Sequence, residues 1–318
     1  MSATTIQWTN HTVNFWWGCT KVSPACAHCY AENIARRFGS KLFGHPVTWG
    51  DGHPRGNRVL EATREAFTLN DKALKARGPR PRVFVNSMSD WLDEQVPADW
   101  LADLLDTVLS CPHLDFQLLT KRPENFRPRL EAAAATFYSP RTPLLAWLNG
   151  SAPPNVWIGT TVEDQQRANE RLPHLLQIPA RVRFLSCEPL LGHVVLPSLA
   201  GIHWVIAGGE SGAAARPMHP VWLDSLVNQC ETANVPFFFK QWGSWSPNGP
   251  VYNHWDFIDG SCLPPHWHKF PAQYCCMNRN GDLLKSPESP GNSYFFKRLG
   301  THKAGRLLDG IEHNAFPP

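Results

Sequence analysis

Val156-Trp157-Ile158-Gly159-Thr160-Thr161-Val162-Glu163 is a short apolar run that ends in polar residues, and a helical pattern follows it from Gln165 to Leu176. An apolar run of this length, closed by turn and polar residues, reads as a buried strand. The same order returns on both sides of it. The runs are Val83-Phe84-Val85-Asn86, Phe116-Gln117-Leu118-Leu119, Val182-Arg183-Phe184-Leu185, Trp204-Val205-Ile206-Ala207 and Pro236-Phe237-Phe238-Phe239. Helical stretches lie at Glu61 to Lys75, Ala98 to Leu109 and Val221 to Ala233. Short strands alternating with helices imply βαβ units and a parallel sheet. A further strand at Val13-Asn14-Phe15-Trp16-Trp17 brings the candidates to seven. The expected fold is α/β, a full or partial (β/α) barrel over residues 1–245, with an open doubly wound sheet as the alternative. Residues 246–293 are rich in Pro, Gly, Asn, His and aromatics, Lys297 to Gly310 reads as a short amphipathic element, and 246–318 are expected to form a loop-rich extension packed on the barrel. Phe43 to Arg58 reads as an irregular connection and Asn149 to Pro154 as a surface loop.

Every candidate strand ends in residues capable of chemistry. They are Ser87-Met88-Ser89-Asp90, Thr120-Lys121-Arg122, Thr160-Thr161-Val162-Glu163, Ser186-Cys187-Glu188, Gly208-Gly209-Glu210-Ser211 and Lys240-Gln241-Trp242. The carboxyl ends of the strands carry the site in barrels and in open α/β sheets alike. With the loop that follows Trp17, all seven strand ends are expected to point at one mouth.

The composition is that of a globular protein: 318 residues, 42% hydrophobic, 18% charged, with fourteen Trp. A formal charge of +3, with no block of five like charges, does not by itself argue for nucleic acid. Met1 to Trp8 has neither the charged nor the apolar region of a secretory signal, and no run of eighteen apolar residues suggests a membrane span. Nine cysteines, an odd number, suit a reducing cytoplasm better than a disulfide framework. The expectation is a cytoplasmic protein without membrane contact.

Three of those cysteines, Cys19, Cys26 and Cys29, stand in a C-x6-C-x2-C spacing. The strand ahead of them and the helical pattern Tyr30 to Phe38 behind them place them on a strand–loop–helix connection, with Tyr30, Ile34, Ala35 and Phe38 on one helical face. Three thiolates there suit three corners of an iron–sulfur cluster or three positions of a zinc ion; a chance group of structural cysteines is the bland alternative. Zinc would need a fourth ligand, and His28 lies between two of the cysteines. A [4Fe-4S] cluster held by three thiolates keeps one iron open to a small molecule. S-adenosylmethionine is the partner for that arrangement in α/β barrels, as a source of the 5′-deoxyadenosyl radical.

Gly208-Gly209-Glu210 offers close backbone approach and an acceptor for an ammonium group, or simply a tight strand-to-loop turn. Glu163 and Glu188 suit ribose hydroxyls or the methionine amine, or the caps of the helices that follow. Lys121, Arg122 and Lys240 suit a carboxylate or phosphate, or salt bridges to those glutamates. Cys187 is a candidate hydrogen-atom donor to a substrate radical, or a buried core thiol. Cys275-Cys276 with His266 or His268 is a weaker metal candidate, the pair more often being structural.

Taken in order, the motifs resemble the three-cysteine-motif family found in phages and prophages, long treated as a domain of unknown function. The match includes Gly18-Cys19 through Cys26-Ala27-His28-Cys29-Tyr30-Ala31-Glu32, Asn86-Ser87-Met88-Ser89-Asp90, Leu119-Thr120-Lys121-Arg122-Pro123, Ser186-Cys187-Glu188-Pro189-Leu190, Lys240-Gln241-Trp242-Gly243 and Ala304-Gly305-Arg306-Leu307-Leu308-Asp309-Gly310. The family looks like a divergent radical S-adenosylmethionine branch, although its first cysteine gap is six residues where that superfamily has three. The resemblance implies a [4Fe-4S] cluster on Cys19, Cys26 and Cys29. His28 would stack on the adenine. Ser87, Asp90, Lys121, Glu163, Glu188, Gly208, Gly209 and Glu210 are the expected cosubstrate contacts, with Cys187 and Lys240 in catalytic roles. An electron donor such as a flavodoxin or ferredoxin is implied. The implied reaction is hydrogen abstraction from a modified nucleotide: isomerisation of an amino-acid-modified thymine in phage DNA hypermodification. The rivals are a radical DNA-lesion repair lyase and a non-enzymatic DNA-binding module stabilised by zinc or an iron–sulfur cluster.

Overall fold

A computed structural model of the chain describes residues 4–46, 49–136, 140–250, 273–284 and 293–318. The first elements are β1 (His11–Val13), β2 (Trp16–Trp17), α1 (Tyr30–Phe43), β3 (Gly56–Asn57), α2 (Val59–Ala76), β4 (Arg82–Val85) and α3 (Ala98–Ser110). Next come β5 (Asp115–Thr120), α4 (Phe126–Ala134), α5 (Arg141–Leu148), β6 (Val156–Thr161), α6 (Gln165–Gln177) and β7 (Val182–Cys187). The chain ends with β8 (Trp204–Gly208), α7 (Pro220–Thr232), β9 (Phe237–Gln241), β10 (Trp245–Pro250), β11 (Tyr274–Asn278), β12 (Leu283–Leu284), β13 (Ser293–Arg298) and α8 (Thr301–Ala304).

Seven strands form one parallel sheet in the order β1-β4-β5-β6-β7-β8-β9. The order follows the chain and never reverses. A doubly wound sheet would reverse at a switch point; this sheet winds one way, as the wall of a partial barrel does. The class is mixed α/β. The chain divides into two compact units, the first made of residues 1–161, 169–185 and 201–203 and the second of 162–168, 186–200 and 204–318.

In the first unit the strands are buried on both faces, as a parallel sheet covered by helices requires. Val83, Val85, Phe116, Leu118, Val156 and Ile158 are fully enclosed. Helix α3 contributes Leu101, Leu104, Leu105 and Val108 to that core, and α2 contributes Ala62, Ala66 and Leu69. Gly159 lies inside β6 because Phe184 covers it: a Cβ there would stand 2.4 Å from the Phe184 ring.

The second unit is built on β8 and β9, whose Trp204, Val205, Ile206, Phe238 and Phe239 are buried together with Trp222, Leu223 and Leu226 of α7. The C-terminal tail runs antiparallel along β9, where the Phe239 N–H donates to the His313 carbonyl (2.9 Å) and the Ala315 N–H to that of Phe237 (3.2 Å). The edge strand is thereby covered rather than left open for pairing.

Most expected strands and helices form within a residue or two of their expected bounds, and three departures have local causes. The strand expected over Val13 to Trp17 is two strands. The chain leaves β4 after Val13: Asn14 Oδ1 accepts from Ser87 Oγ and the Met88 N–H, and the Phe15 N–H donates to Asn86 Oδ1. Trp16 and Trp17 then pair with Asn57 and Gly56, inside the segment expected to be irregular. Helix α1 continues to Phe43 and buries Ala31, Ala35 and Gly39, leaving Tyr30 and Phe38 about half exposed. Finally, the segment expected to be loop-rich contains a four-stranded antiparallel sheet, β10-β13-β11-β12. Its strands are short and broken by Pro, Asn and Gly, which hid their alternation.

Candidate functional site

The cysteine loop begins at Gly18, whose φ of +103° turns the chain out of β2 and whose N–H donates to the Met88 carbonyl. A 3-10 turn, Pro24–Cys26, follows, and Cys29 is the N-cap of α1. None of the three cysteines is in a disulfide, and each is partly buried, as is His28 between them. Burial opposes ionisation of Cys26, but the Lys121 cation and bonds from the Val22 and Ser23 region outweigh it, so this thiol lies below its ordinary pKa. Cys19 differs. Burial, then the Asp90 carboxylate, push its thiol up to about 12 against the pull of Arg122. Its thiol donates to the Thr20 carbonyl at 3.4 Å.

Behind Cys19 lies a buried polar hub that draws on the ends of β4 and β5. Asp90 Oδ1 accepts from Thr120 Oγ1 (2.7 Å) and the Leu92 N–H (3.0 Å), and Oδ2 from the Lys121 N–H (2.8 Å) and Arg122 Nη1 (3.0 Å). Arg122, 2% exposed, also donates from Nη2 to the Thr20 carbonyl and from Nη1 to Cys19 Sγ at 3.7 Å. A second buried pair braces the same loop. Arg55 Nη2 donates to Asp93 Oδ2 and to Thr20 Oγ1, both at 2.8 Å, and Asp93 Oδ2 accepts the Thr20 N–H. Ser87 serves the loop flanks: its hydroxyl donates to Asn14 and its carbonyl accepts from the Tyr30 hydroxyl at 2.7 Å. A cavity of about 250 Å³ adjoins the loop, lined by Val22, Lys121, Glu124, Glu170, Arg171 and His174.

These residues suit an anionic cluster. Three thiols are presented with Lys121, Arg122 and a helix N-terminus around them, and the Thr20 carbonyl keeps the Arg122 donor when the Cys19 proton leaves. Among the described residues no three His, Cys, Asp or Glu side chains are grouped to hold one metal ion. That is a condition for a single ion; a cluster takes its ligands at corners further apart.

The second unit holds the other expected site residues. Glu188 and Lys240, both partly buried, are paired with each other. Glu210 is 6% exposed, and its carboxylate receives the Arg216 N–H and Nε at 2.8 Å and Nη2 at 2.6 Å. The glycines ahead of it differ. A Cβ on Gly208 would make ordinary contacts at 3.4 Å or more, whereas one on Gly209 would stand 2.0 Å from the Trp242 carbonyl oxygen. Glu163 and Cys187 are fully buried, and burial raises the Cys187 thiol well above its ordinary value. Cys276 packs with Phe295 and Leu284 in a small core, while His266 and His268 lie outside the described residues. A groove of about 570 Å³ runs along α7 and is lined by none of the expected site residues.

Arg55 and Asp93 were not among the expected site residues, and Arg122 was expected only as a cation for a carboxylate or phosphate. Arg122 stood beside one of them, but nothing in its spacing linked it to Cys19, 103 positions away. Asp93, three residues after Asp90, could have been flagged by that acidic spacing. Arg55 lies in the Gly, Pro and His-rich segment, where no periodicity marks a buried position.

No helix among the described residues is long and apolar enough to cross a membrane. A family profile described as "protein of unknown function (DUF5131)" matches residues 3–317. No curated protein and no solved structure matches the chain. The chain belongs to the DUF5131 family.

Proposed function

We propose that this member of the DUF5131 family is a radical S-adenosylmethionine enzyme in which Cys19, Cys26 and Cys29 hold a [4Fe-4S] cluster. The observation that carries the reading is the presentation of three unpaired thiols on one strand–loop–helix connection, with Lys121 lowering one and Arg122 donating to another. When bound, the reduced cluster and S-adenosylmethionine would supply a 5′-deoxyadenosyl radical.

The chain's own residues have definable tasks in that reading. Cys29 places its sulfur at the N-terminus of α1, and Gly18 sets the turn that brings Cys19 over the Asp90–Arg122 hub. The cavity lined by Lys121, Arg171 and His174 is suited to a carboxylate or phosphate, with Glu124 and Glu170 for an amine. His28 is the proposed stacking partner of the adenine. Ser87 and Asp90 contribute by shaping the loop. Contact of Glu163, Glu188, Gly208, Gly209, Glu210 and Lys240 with the cosubstrate, and hydrogen-atom donation by Cys187, rest on the motifs alone. The substrate proposed is an amino-acid-modified thymine in phage DNA. Hydrogen abstraction at the amino acid α-carbon would start its rearrangement from a nitrogen-linked to a carbon-linked isomer. A flavodoxin or ferredoxin is the electron donor proposed.

Anaerobic reconstitution tests the reading. Wild-type protein should bind about four irons per chain and release 5′-deoxyadenosine from S-adenosylmethionine under reduction. Cys19→Ala, Cys26→Ala and Cys29→Ala should each lose iron and that activity together. Iron-loaded wild-type protein that never cleaves S-adenosylmethionine would sink the enzyme reading. Nucleoside mass spectrometry of modified and of ultraviolet-damaged DNA then separates isomerase from repair lyase.

A further inference from the structure

The polar hub behind the cysteine loop is more than a brace, because one of its groups faces a sulfur. We propose that Arg122 is the positioning residue for Cys19: it fixes the sulfur's place in the loop and donates a hydrogen bond to it. As applied to a cluster, this rests on the function proposed above; as applied to the sulfur, it does not.

Three observations carry it. First, Arg122 is held from several directions. Nη1 bonds Asp90, Nη2 bonds the Thr20 carbonyl, the backbone N–H donates to Thr120 Oγ1 at 2.9 Å, and Glu94 lies 3.5 Å from Nε. A planar fork so anchored presents its remaining direction without further loss of side-chain freedom. Second, that direction meets Cys19 Sγ at 3.7 Å, within range for an N–H···S bond. Third, Arg122 and the Cys19 thiol both donate to the Thr20 carbonyl. Replacing the thiol proton by a metal therefore leaves that carbonyl bonded, and Sγ still accepts from Nη1.

Hydrogen bonds to cluster sulfurs stabilise the more negative, reduced state and are a recognised lever on reduction potential. Among the described residues, no arginine donates to Cys26 or Cys29. The proposal therefore makes Cys19 the sulfur through which the protein sets the potential.

Two variants test it. Arg122→Gln removes the cation and leaves Asp90 buried without it. Arg122→Lys keeps a charge for Asp90 but cannot reach Asp90, the Thr20 carbonyl and Sγ together. Both are first compared with wild type by thermal unfolding, and Arg122→Lys is expected to fold. In the metal-free chain, iodoacetamide labelling of Cys19, followed by peptide mass spectrometry, should quicken about tenfold in Arg122→Lys, because the sulfur loses the bond to a charged group that holds it in the loop, with Cys26 unchanged. In the iron-loaded chain, the reduced-to-oxidised ratio at a fixed poise should fall about tenfold, equivalent to about 59 mV for one electron. If Arg122→Lys folds and loads iron with both readouts at wild-type values, the proposal is overturned and the cluster reading stands. If labelling quickens but wild type itself never retains iron, the cluster reading falls and the hold of Arg122 on the sulfur stands.

Discussion

The cysteine region and the Gly208-Gly209-Glu210 region looked alike in sequence: each follows a strand with residues suited to a ligand. Their chemistry differs in where the polar groups are directed. In the first, Asp90 gathers Thr120, Lys121 and Arg122, and Arg122 donates onward to a sulfur. In the second, Glu210 receives Arg216 in three bonds, and Glu188 takes Lys240. A charged motif at a strand end is therefore not evidence for a site until its partners are known. One hub hands an interaction on to a sulfur, while the bonds of the other two pairs join a carboxylate to a cation.

The largest expected effect comes from breaking the first hub. Asp90→Ala strips the carboxylate from a guanidinium that is almost wholly buried, and removing one partner of such a pair costs about 3–5 kcal/mol. Urea unfolding should show the loss as a lower midpoint at an unchanged slope. An Asp90→Ala chain as stable as wild type would mean that the hub does not hold the loop.

The second unit has a buried group of its own, and it titrates. His219 caps α7, its Nδ1 accepting the Val221 N–H, and it has no solvent exposure. Burial, helped by Arg279, lowers its pKa from 6.5 to about 4. The unfolded chain takes a proton below 6.5 that the folded chain refuses until about 4. Stability is thus full above 6.5 and falls as pH drops through that window, by about 3 kcal/mol if the whole shift is expressed. Asparagine keeps a capping acceptor without the titration. Unfolding at several pH values should give a shallower slope for His219→Asn; an unchanged slope would assign the acid sensitivity elsewhere.

A third test divides the glycine motif within itself. Gly209→Ala sets a methyl group against the Trp242 carbonyl at 2.0 Å, an overpacking against backbone that costs about 1–3 kcal/mol or more. Gly208→Ala meets only ordinary contacts and should cost less. Equal effects of the two substitutions would show that close packing of this loop on Trp242 is not what Gly209 serves.

How much of this was legible follows from what kind of signal each feature leaves. The strand runs Val83–Asn86 and Val156–Gly159 declare themselves because a strand covered on both faces must be apolar throughout. The cysteines declare themselves by spacing. Side-chain partnership leaves no such trace: Arg122 meets Cys19 across 103 positions and Arg55 meets Asp93 across 38. The break after Val13 was hidden for the same reason. Asn14 looked like one polar residue inside an apolar strand, and only its bonds to Ser87 and Met88 show that it ends one.

The smallest effect should come from Glu188 and Lys240. Their side chains keep 19% and 23% of their surface, so water screens the pair, and its loss in Glu188→Gln should cost no more than about 1 kcal/mol. That modest stake makes it a clean probe of the contrast between the two regions. If the pair is only satisfied in itself, Glu188→Gln leaves both stability and 5′-deoxyadenosine release near wild type. If instead Glu188 leaves Lys240 to meet the cosubstrate, the same substitution lowers release by tenfold or more with the unfolding midpoint unmoved. Activity and stability parting in that way would make the second region a site after all, and would confine the contrast to the structure without its ligands.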